Sequence, residues 1–82
     1  MNNIRFLQTT IEKMCEAKTS DELHKVYKEA KYGWETAKGE KRGGFTRLQL
    51  PQVYISIIDS VFYRLLFLLI EKERLDAFLH TK

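Results

Sequence analysis

The chain has 82 residues, of which 44% are hydrophobic and 30% are charged. This balance is typical of one small globular domain over residues 1–82 and excludes a disordered or collagen-like chain. The single cysteine, Cys15, excludes an internal disulfide, and a net charge of +3 permits binding to an anionic surface without requiring it.

The first segment is predicted to be an amphipathic helix over residues 3–18. Apolar residues recur there at three- and four-residue spacing and define one face: Ile4, Leu7, Ile11, Met14 and Cys15. Phe6 falls on the opposite side of this predicted helix. We expect Cys15 to be a small buried thiol, because a cysteine nucleophile needs an open cleft and a neighbouring base.

A second helix is predicted over residues 20–38. Thr19 can cap its first turn, and Glu22 can reach back as the partner in a capping box. The apolar positions beyond the cap form one narrow stripe: Leu23, Val26, Tyr27, Ala30, Trp34 and Ala37. Gly33 lies inside this predicted helix, where it marks either a bend or the close approach of another helix.

Glycines break the helical periodicity between residues 39 and 50 and predict a flexible basic loop. The candidate nucleic-acid contacts in and beside it are four cations and one aromatic: Lys38, Lys41, Arg42, Arg47 and Phe45. Such a loop can follow phosphates and stack a base. A small phage or plasmid nucleic-acid-binding regulator is therefore the alternative function, although a solvated connector is the favoured interpretation of the loop.

An unbroken helical pattern over residues 51–79 predicts a third helix of about 43 Å, against about 25 Å for each of the first two. The apolar positions that we expect on its core side span about half of the circumference: Tyr54, Ile58, Val61, Phe62, Leu65, Leu66, Leu68 and Leu69. The sequence thus predicts an all-α fold, a small bundle of two short helices packed on one long C-terminal helix. The long helix keeps apolar surface for a partner.

Residues 53–70 of this helix approach the length of a membrane span. Asp59 and Arg64 stand in the middle of the stretch, and each would cost about 2.5–3.5 kcal/mol on insertion. The N-terminus also lacks the apolar run of a secretory signal. We therefore expect a buried helix of a soluble protein.

Five large apolar side chains left off the main core faces are the candidate partner contacts: Phe6, Tyr63, Phe67, Ile70 and Phe78. The simplest partner is a second copy in a twofold dimer. Asp59 and Arg64 are then expected to form a polar pair that fixes the register of the interface. The alternative is that both side chains reach solvent along a groove.

The sequence carries no signature of catalysis, of a cofactor or of a metal site. Cys15, His24 and His80 share no recognised ligand spacing. Acidic residues alternate with basic ones, as on a solvated surface, and the glycines of residues 39–44 match no phosphate-binding loop. We therefore expect no enzyme and no cofactor.

Two stretches resemble a known family. They are the opening Met-Asn-Asn-Ile-Arg-Phe-Leu-Gln-Thr-Thr-Ile-Glu-Lys-Met-Cys and the later Phe-Tyr-Arg-Leu-Leu-Phe-Leu-Leu-Ile-Glu-Lys-Glu-Arg-Leu. Together with the chain length, they resemble the lysis-inhibition accessory proteins (antiholins) of T-even bacteriophages. The resemblance implies a small cytoplasmic protein that binds the cytoplasmic part of the phage holin and delays its assembly into membrane lesions. It transfers no functional residues, so the candidate contacts rest on the helical pattern alone.

Overall fold

The computed structural model describes residues 3–32, 44–45 and 50–80, together with the backbone of residues 34–35 and 41–42. The elements in chain order are α1 (Asn3–Glu16), α2 (Ser20–Tyr32), β1 (Trp34–Glu35), β2 (Lys41–Arg42) and α3 (Gln52–His80). Each helix packs against the other two. The predicted bundle of two short helices on one long C-terminal helix is confirmed.

The core side of α1 is the row formed by Phe6, Thr10 and Met14, which are fully buried. These positions lie one turn apart on one face of a helix. Leu7 and Ile11 flank the row and are packed against the core. The prediction that Phe6 lies off the core side and contacts a partner is therefore wrong.

Ile4 and Cys15 lie on the solvent side of α1. Ile4 is 56% exposed, and Cys15 is exposed as a free thiol. At about 100° per residue, their positions lie about 160° and 180° around the helix from Phe6. The expectation of a buried thiol is wrong, because the polar Thr10 occupies a core position that an apolar pattern does not assign.

The N-terminus of α2 is capped from two directions. Thr19 Oγ1 accepts a hydrogen bond from the Glu22 N–H over 3.1 Å, and Glu22 Oε2 accepts one from the Lys18 N–H over 2.8 Å. Ser20 donates its N–H to Glu73 Oε2 over 3.0 Å and its hydroxyl to Glu73 Oε1 over 2.7 Å. The predicted Thr19 cap is confirmed, whereas Glu22 reaches back to Lys18, one residue before the cap. Glu73 attaches the start of α2 to α3.

The C-terminus of α2 is Tyr32, so the prediction of a helix to residue 38 is wrong. The next residue in the sequence is Gly33, a residue type that costs about 1 kcal/mol in a helix interior. Trp34 does not continue the apolar stripe of α2. It belongs to β1, which pairs antiparallel with β2 and places Trp34 opposite Arg42.

The segment after β2 returns to the core at Gly44 and Phe45. Gly44 has a φ of 88°, in the left-handed region that glycine enters without a Cβ clash. The Phe45 N–H then donates to the carbonyl of Ala30 over 3.0 Å, which satisfies one of the last carbonyls of α2. Phe45 is only 8% exposed, and its ring lies edge-on to Tyr27 with 6.0 Å between centroids.

The long helix α3 sets the shape of the molecule. Its 29 residues span about 43 Å, close to the longest dimension of 49 Å. The Pro51 carbonyl accepts the Tyr54 N–H over 2.9 Å and so begins the helix where the sequence predicts it. Only Ile58 and Phe62 of α3 are buried, so most of this helix lies on the surface.

Candidate protein-binding surface on the long helix

Large apolar side chains remain exposed along α3. We call these nine residues the outer face: Val53, Ile57, Tyr63, Phe67, Leu68, Ile70, Leu75, Phe78 and Leu79. Their exposed fractions run from 37% to 76%. Contiguous apolar patches above a few hundred Å² are rare on monomeric soluble proteins and mark interaction sites.

The opposite side of α3 shows why the outer face stays uncovered. Phe62 is 5% exposed and stacks on Tyr27 with 4.1 Å between centroids, while the His24 ring meets it edge-on at 5.4 Å. The half-buried residues of α3 that complete this core side are Tyr54, Ile55, Val61, Leu65, Leu66 and Leu69. With 14 and 13 residues, α1 and α2 span about 20 Å each. They cover one side of a longer helix and no more.

Leu68 corrects the predicted core side of α3. The helical pattern predicts that Leu68 lies in the core with Leu65 and Leu69, yet it is 61% exposed. Position 68 lies about 120° around the helix from the buried Phe62. An apolar arc that covers half of the circumference has no marked centre, so its edges cannot be assigned from the sequence alone.

A shallow apolar groove crosses the middle of the outer face. Its lining residues are Tyr63, Arg64, Phe67 and Leu68. The Tyr63 ring lies edge-on to Phe62, with 5.3 Å between centroids, and so rests on the core below it. The groove combines three apolar side chains with one cation, a composition suited to a helix that carries an acidic residue.

Four of the five predicted partner contacts lie on the outer face. Tyr63 and Phe67 are each 64% exposed, Ile70 is 39% exposed and Phe78 is 76% exposed. Phe6 is the exception, because the core encloses it. Val53, Ile57, Leu75 and Leu79 also belong to this surface and were not predicted. The four-residue spacings of Val53 to Ile57 and of Leu75 to Leu79 contained the signal.

The predicted polar pair Asp59 and Arg64 is separated. Asp59 is half-buried and accepts a hydrogen bond from Tyr27 Oη over 2.7 Å, on the side of α3 that faces α2. Arg64 is exposed and lines the groove of the outer face. Five residues along a helix correspond to about 140° of rotation, which places the two side chains on different sides.

Two polar contacts hold α2 on the core side of α3, and each shifts the pKa of one of its side chains. Burial, followed by the hydrogen bond to Asp59 and the negative charge of that carboxylate, raises the pKa of Tyr27 to about 12. The hydrogen bonds from the N–H and hydroxyl of Ser20 lower the pKa of Glu73. These contacts fix which side of α3 is covered and which remains free for a partner.

The candidate nucleic-acid contacts are not assembled into a site by the described residues. Lys38 and Arg47 lie outside them, and Lys41 and Arg42 enter only as the backbone of β2. Phe45 packs in the core and is not available to stack a base. The prediction of a stacking role for Phe45 is therefore wrong.

A basic groove that the sequence analysis did not single out runs along α2. Three lysines line it, together with acidic, imidazole and aromatic side chains: Lys25, Lys28, Lys31, Asp21, His24, Tyr27 and Tyr32. His24 is exposed there. Within the described part of the chain, no group of three or more His, Cys, Asp or Glu side chains is placed to hold a metal ion.

The length and composition of α3 also suit a membrane span. Its most apolar 18-residue window has a mean hydropathy of 1.9, and 11% of that window is buried in the fold. The expectation of a buried helix is therefore wrong for most of α3. A protein partner and a bilayer are both chemically able to cover its outer face.

No protein-family model matches the chain, and no curated protein or solved structure matches it. The geometry of α3 is thus the basis for a functional conclusion.

Proposed function

We propose that the chain is a non-enzymatic regulator that binds another protein through the outer face of α3. The observation that carries this proposal is the set of nine large apolar side chains that α3 leaves exposed. Burial of one such leucine or phenylalanine is worth about 1.5–3 kcal/mol. An amphipathic helix laid along the outer face would gain much of this free energy.

The proposed partner is the cytoplasmic part of a phage holin, whose assembly into membrane lesions the chain delays. The resemblance to T-even phage antiholins supports this choice, since the second resembling stretch covers residues 62–75 and includes the groove residues Tyr63, Arg64, Phe67 and Leu68. An inhibitor of assembly needs no chemistry. Differential binding of about 1.4 kcal/mol changes the ratio of two association states tenfold.

The contacts of α3 with the shorter helices support a location in the cytosol of the host cell. Insertion of α3 into a bilayer would break the Tyr27–Asp59 and Ser20–Glu73 hydrogen bonds. It would also place Asp59 in hydrocarbon, at about 2.5–3.5 kcal/mol. A protein helix can cover the outer face and leave these contacts intact.

The test compares two exposed tyrosines. Tyr63 lies on the outer face and is 64% exposed, whereas Tyr32 lies on α2 and is 48% exposed. Binding of the soluble cytoplasmic segment of the holin is measured by isothermal titration calorimetry. We expect Y63S and F67S each to weaken binding about tenfold or more, and Y32S to leave it within about twofold.

Salt dependence separates the two classes of partner. Binding through the outer face should change little between 50 and 500 mM salt, because burial of apolar surface drives it. The proposal fails if the holin segment does not bind, or if Y32S and F67S have the same effect. Steep weakening with salt, and binding of single-stranded DNA that is lost in R42E/R47E, would instead favour the nucleic-acid-binding alternative.

A further inference from the structure

Arg64 and Glu71 are two charged residues in the middle of the outer face. They are seven residues apart, which corresponds to about 10.5 Å along α3 and about 20° around it. Arg64 is exposed, and Glu71 is 49% exposed, with Arg74 at 3.4 Å as a weak surface partner. Any element that covers the outer face must offer an acid to Arg64 and a base to Glu71, because a buried charge needs a partner.

We infer that a second copy of the chain meets this requirement, in an antiparallel dimer whose twofold axis passes between residues 67 and 68. The inference rests on the proposed function, since it takes the outer face as the docking surface. A twofold interface is self-complementary, so each contact occurs twice. In this register Arg64 faces Glu71 of the second copy, and Phe67 and Leu68 each lie beside their own counterparts at the axis.

Side-chain directions agree with this axis. Viewed from the direction midway between Arg64 and Glu71, Phe67 and Leu68 lie about 50° to either side. A twofold axis perpendicular to both helices keeps each side of α3 on the same side of the interface, so that Phe67 meets Phe67 of the second copy and Leu68 meets Leu68. The same direction lies about 170° from the buried Phe62, so the second copy lies on the side of α3 that points away from the core.

The next residues outward pair by the same geometry. Ile57 and Leu75 lie about 30° to one side of the facing direction, and Ser60 and Phe78 lie about 30° to the other. Ile57 therefore lies within one turn of Leu75 of the second copy, and Ser60 lies within one turn of Phe78. The facing pairs run from Ile57 to Phe78, about 32 Å of helix. Contact of this length between two apolar helix faces is of the order needed for a standard interface of about 800 Å² per partner.

Charge selects the antiparallel orientation. A parallel pair in register would place Arg64 against Arg64 and Glu71 against Glu71, and like charges across an interface disfavour association. The groove lined by Arg64, Phe67 and Leu68 lies at the proposed axis, where Phe67 of the second copy enters it. The second copy therefore covers the surface that the regulator offers to its partner, and the dimer must open for the partner to bind.

Charge reversal tests the register. In sedimentation velocity over a dilution series, we expect the wild type to be a dimer and R64E and E71R each to raise the dimer dissociation constant about tenfold or more. R64E/E71R restores opposite charges across the antiparallel interface and should return the constant to within about threefold of the wild-type value. D76R is the matched control, because Asp76 is an exposed acid on α3 that lies off this axis. Circular dichroism checks that each variant is folded.

Four results would overturn the inference. They are a wild type that is monomeric at high concentration, a double variant that is not rescued, a D76R effect equal to that of E71R, and flotation of the wild type with phosphatidylcholine–phosphatidylglycerol vesicles that F67S abolishes. Calorimetry with the holin segment separates this inference from the proposed function. If the wild type is a monomer that binds the holin segment, the dimer is excluded and the proposed regulator is retained. If charge reversal confirms the dimer but the protein does not bind the segment, only the proposed regulator is excluded.

Discussion

Tyr27 and Asp59 join α2 to α3 through one hydrogen bond, in which Tyr27 Oη donates to Asp59 Oδ1 over 2.7 Å. The ring of Tyr27 also stacks on Phe62 of α3, with 4.1 Å between centroids. One side chain thus combines an apolar contact and a polar contact between the same two helices. Asp59 is thereby used within the chain, which leaves Arg64 without it as a partner on the outer face.

Replacement of Tyr27 by phenylalanine should destabilise the fold by about 1 kcal/mol. The ring and its stacking on Phe62 remain, while the hydrogen bond to a charged acceptor is lost. The expected loss of stability is small for a hydrogen bond to a charged group because Tyr27 and Asp59 are only half-buried. Urea unfolding followed by circular dichroism measures the change at a dilution that is the same for all variants.

The exposed Tyr63 gives the control for this substitution. Removal of its hydroxyl in Y63F should change the free energy of unfolding by no more than about 0.5 kcal/mol, as at an ordinary surface position. A double-mutant cycle with D59N should assign most of the Y27F loss to the pair. Equal stabilities of Y27F and the wild type would show that the hydrogen bond contributes nothing.

Alkaline pH should weaken the fold through Tyr27. Its pKa rises from 10.0 to about 12 in the folded chain, so the folded state holds the phenol proton more tightly than the unfolded state. The contribution of Tyr27 to stability is therefore complete below pH 10 and is lost as the pH rises towards 12. Tyrosinate absorbance at 295 nm should show a late component near pH 12 that is absent in Y27F, and an identical titration of the two proteins would contradict this.

Acidic pH should remove the contribution of Glu73 to the stability of the fold. The two hydrogen bonds from Ser20 lower the pKa of the Glu73 carboxyl below its ordinary value of 4.5, so the folded state favours the charged form. This contribution is complete above the unfolded pKa and disappears as the pH falls through the folded pKa. The melting temperature of E73Q should lie below that of the wild type at pH 7 and should converge with it in acid.

Glu12 offers a matched carboxylate for the acid experiment, because it is exposed on α1. E12Q should follow the wild type at every pH. S20A removes the hydroxyl donor and retains the N–H donor, so it should show part of the E73Q effect. A melting difference between E73Q and the wild type that does not change with pH would mean that packing, and not charge, is responsible.

Local signals were sufficient for the helix termini that depend on neighbouring residues. Thr19 and Glu22 form the predicted cap because both partners lie within one turn of the chain. The N-terminus of α3 follows Pro51, whose missing N–H is not needed in a first turn. The excess of apolar surface on α3 was also predictable, since it depends on counting apolar positions around one helix.

Contacts between distant residues were beyond the reach of the same patterns. The end of α2 coincides with the pairing of β1 with β2 and the hydrogen bond from Phe45 to Ala30, none of which leaves a periodic trace. Asp59 has the spacing of an interface residue, yet its partner is Tyr27 on another helix. In α1 a single polar residue, Thr10, concealed the core row that includes Phe6.

The face of α1 that packs in the core can be checked at two adjacent positions. Cys15 is exposed and Met14 is fully buried. In the native protein, the Cys15 thiol should react with Ellman's reagent at a rate within about tenfold of that in the unfolded chain. In M14C/C15S the thiol should react only as the chain unfolds. If the thiol of M14C/C15S reacted faster than the Cys15 thiol of the native protein, the core face of α1 would be the one predicted from the sequence.

Replacement of Thr10 by valine should stabilise the fold by about 1 kcal/mol. Thr10 Oγ1 is fully buried and has no hydrogen-bond partner among the described residues. A buried hydroxyl without a partner carries a desolvation cost, and valine keeps the branched shape while removing that cost. Urea unfolding of T10V measures the gain, and T10S, which keeps the hydroxyl and loses a methyl group, should be less stable than the wild type. A loss of stability in T10V would show that the hydroxyl is satisfied in solution, for example by a bound water. Because Thr10 lies in the core and not on the outer face, T10V should leave self-association unchanged and so provide a stable background in which the Arg64 and Glu71 variants remain folded.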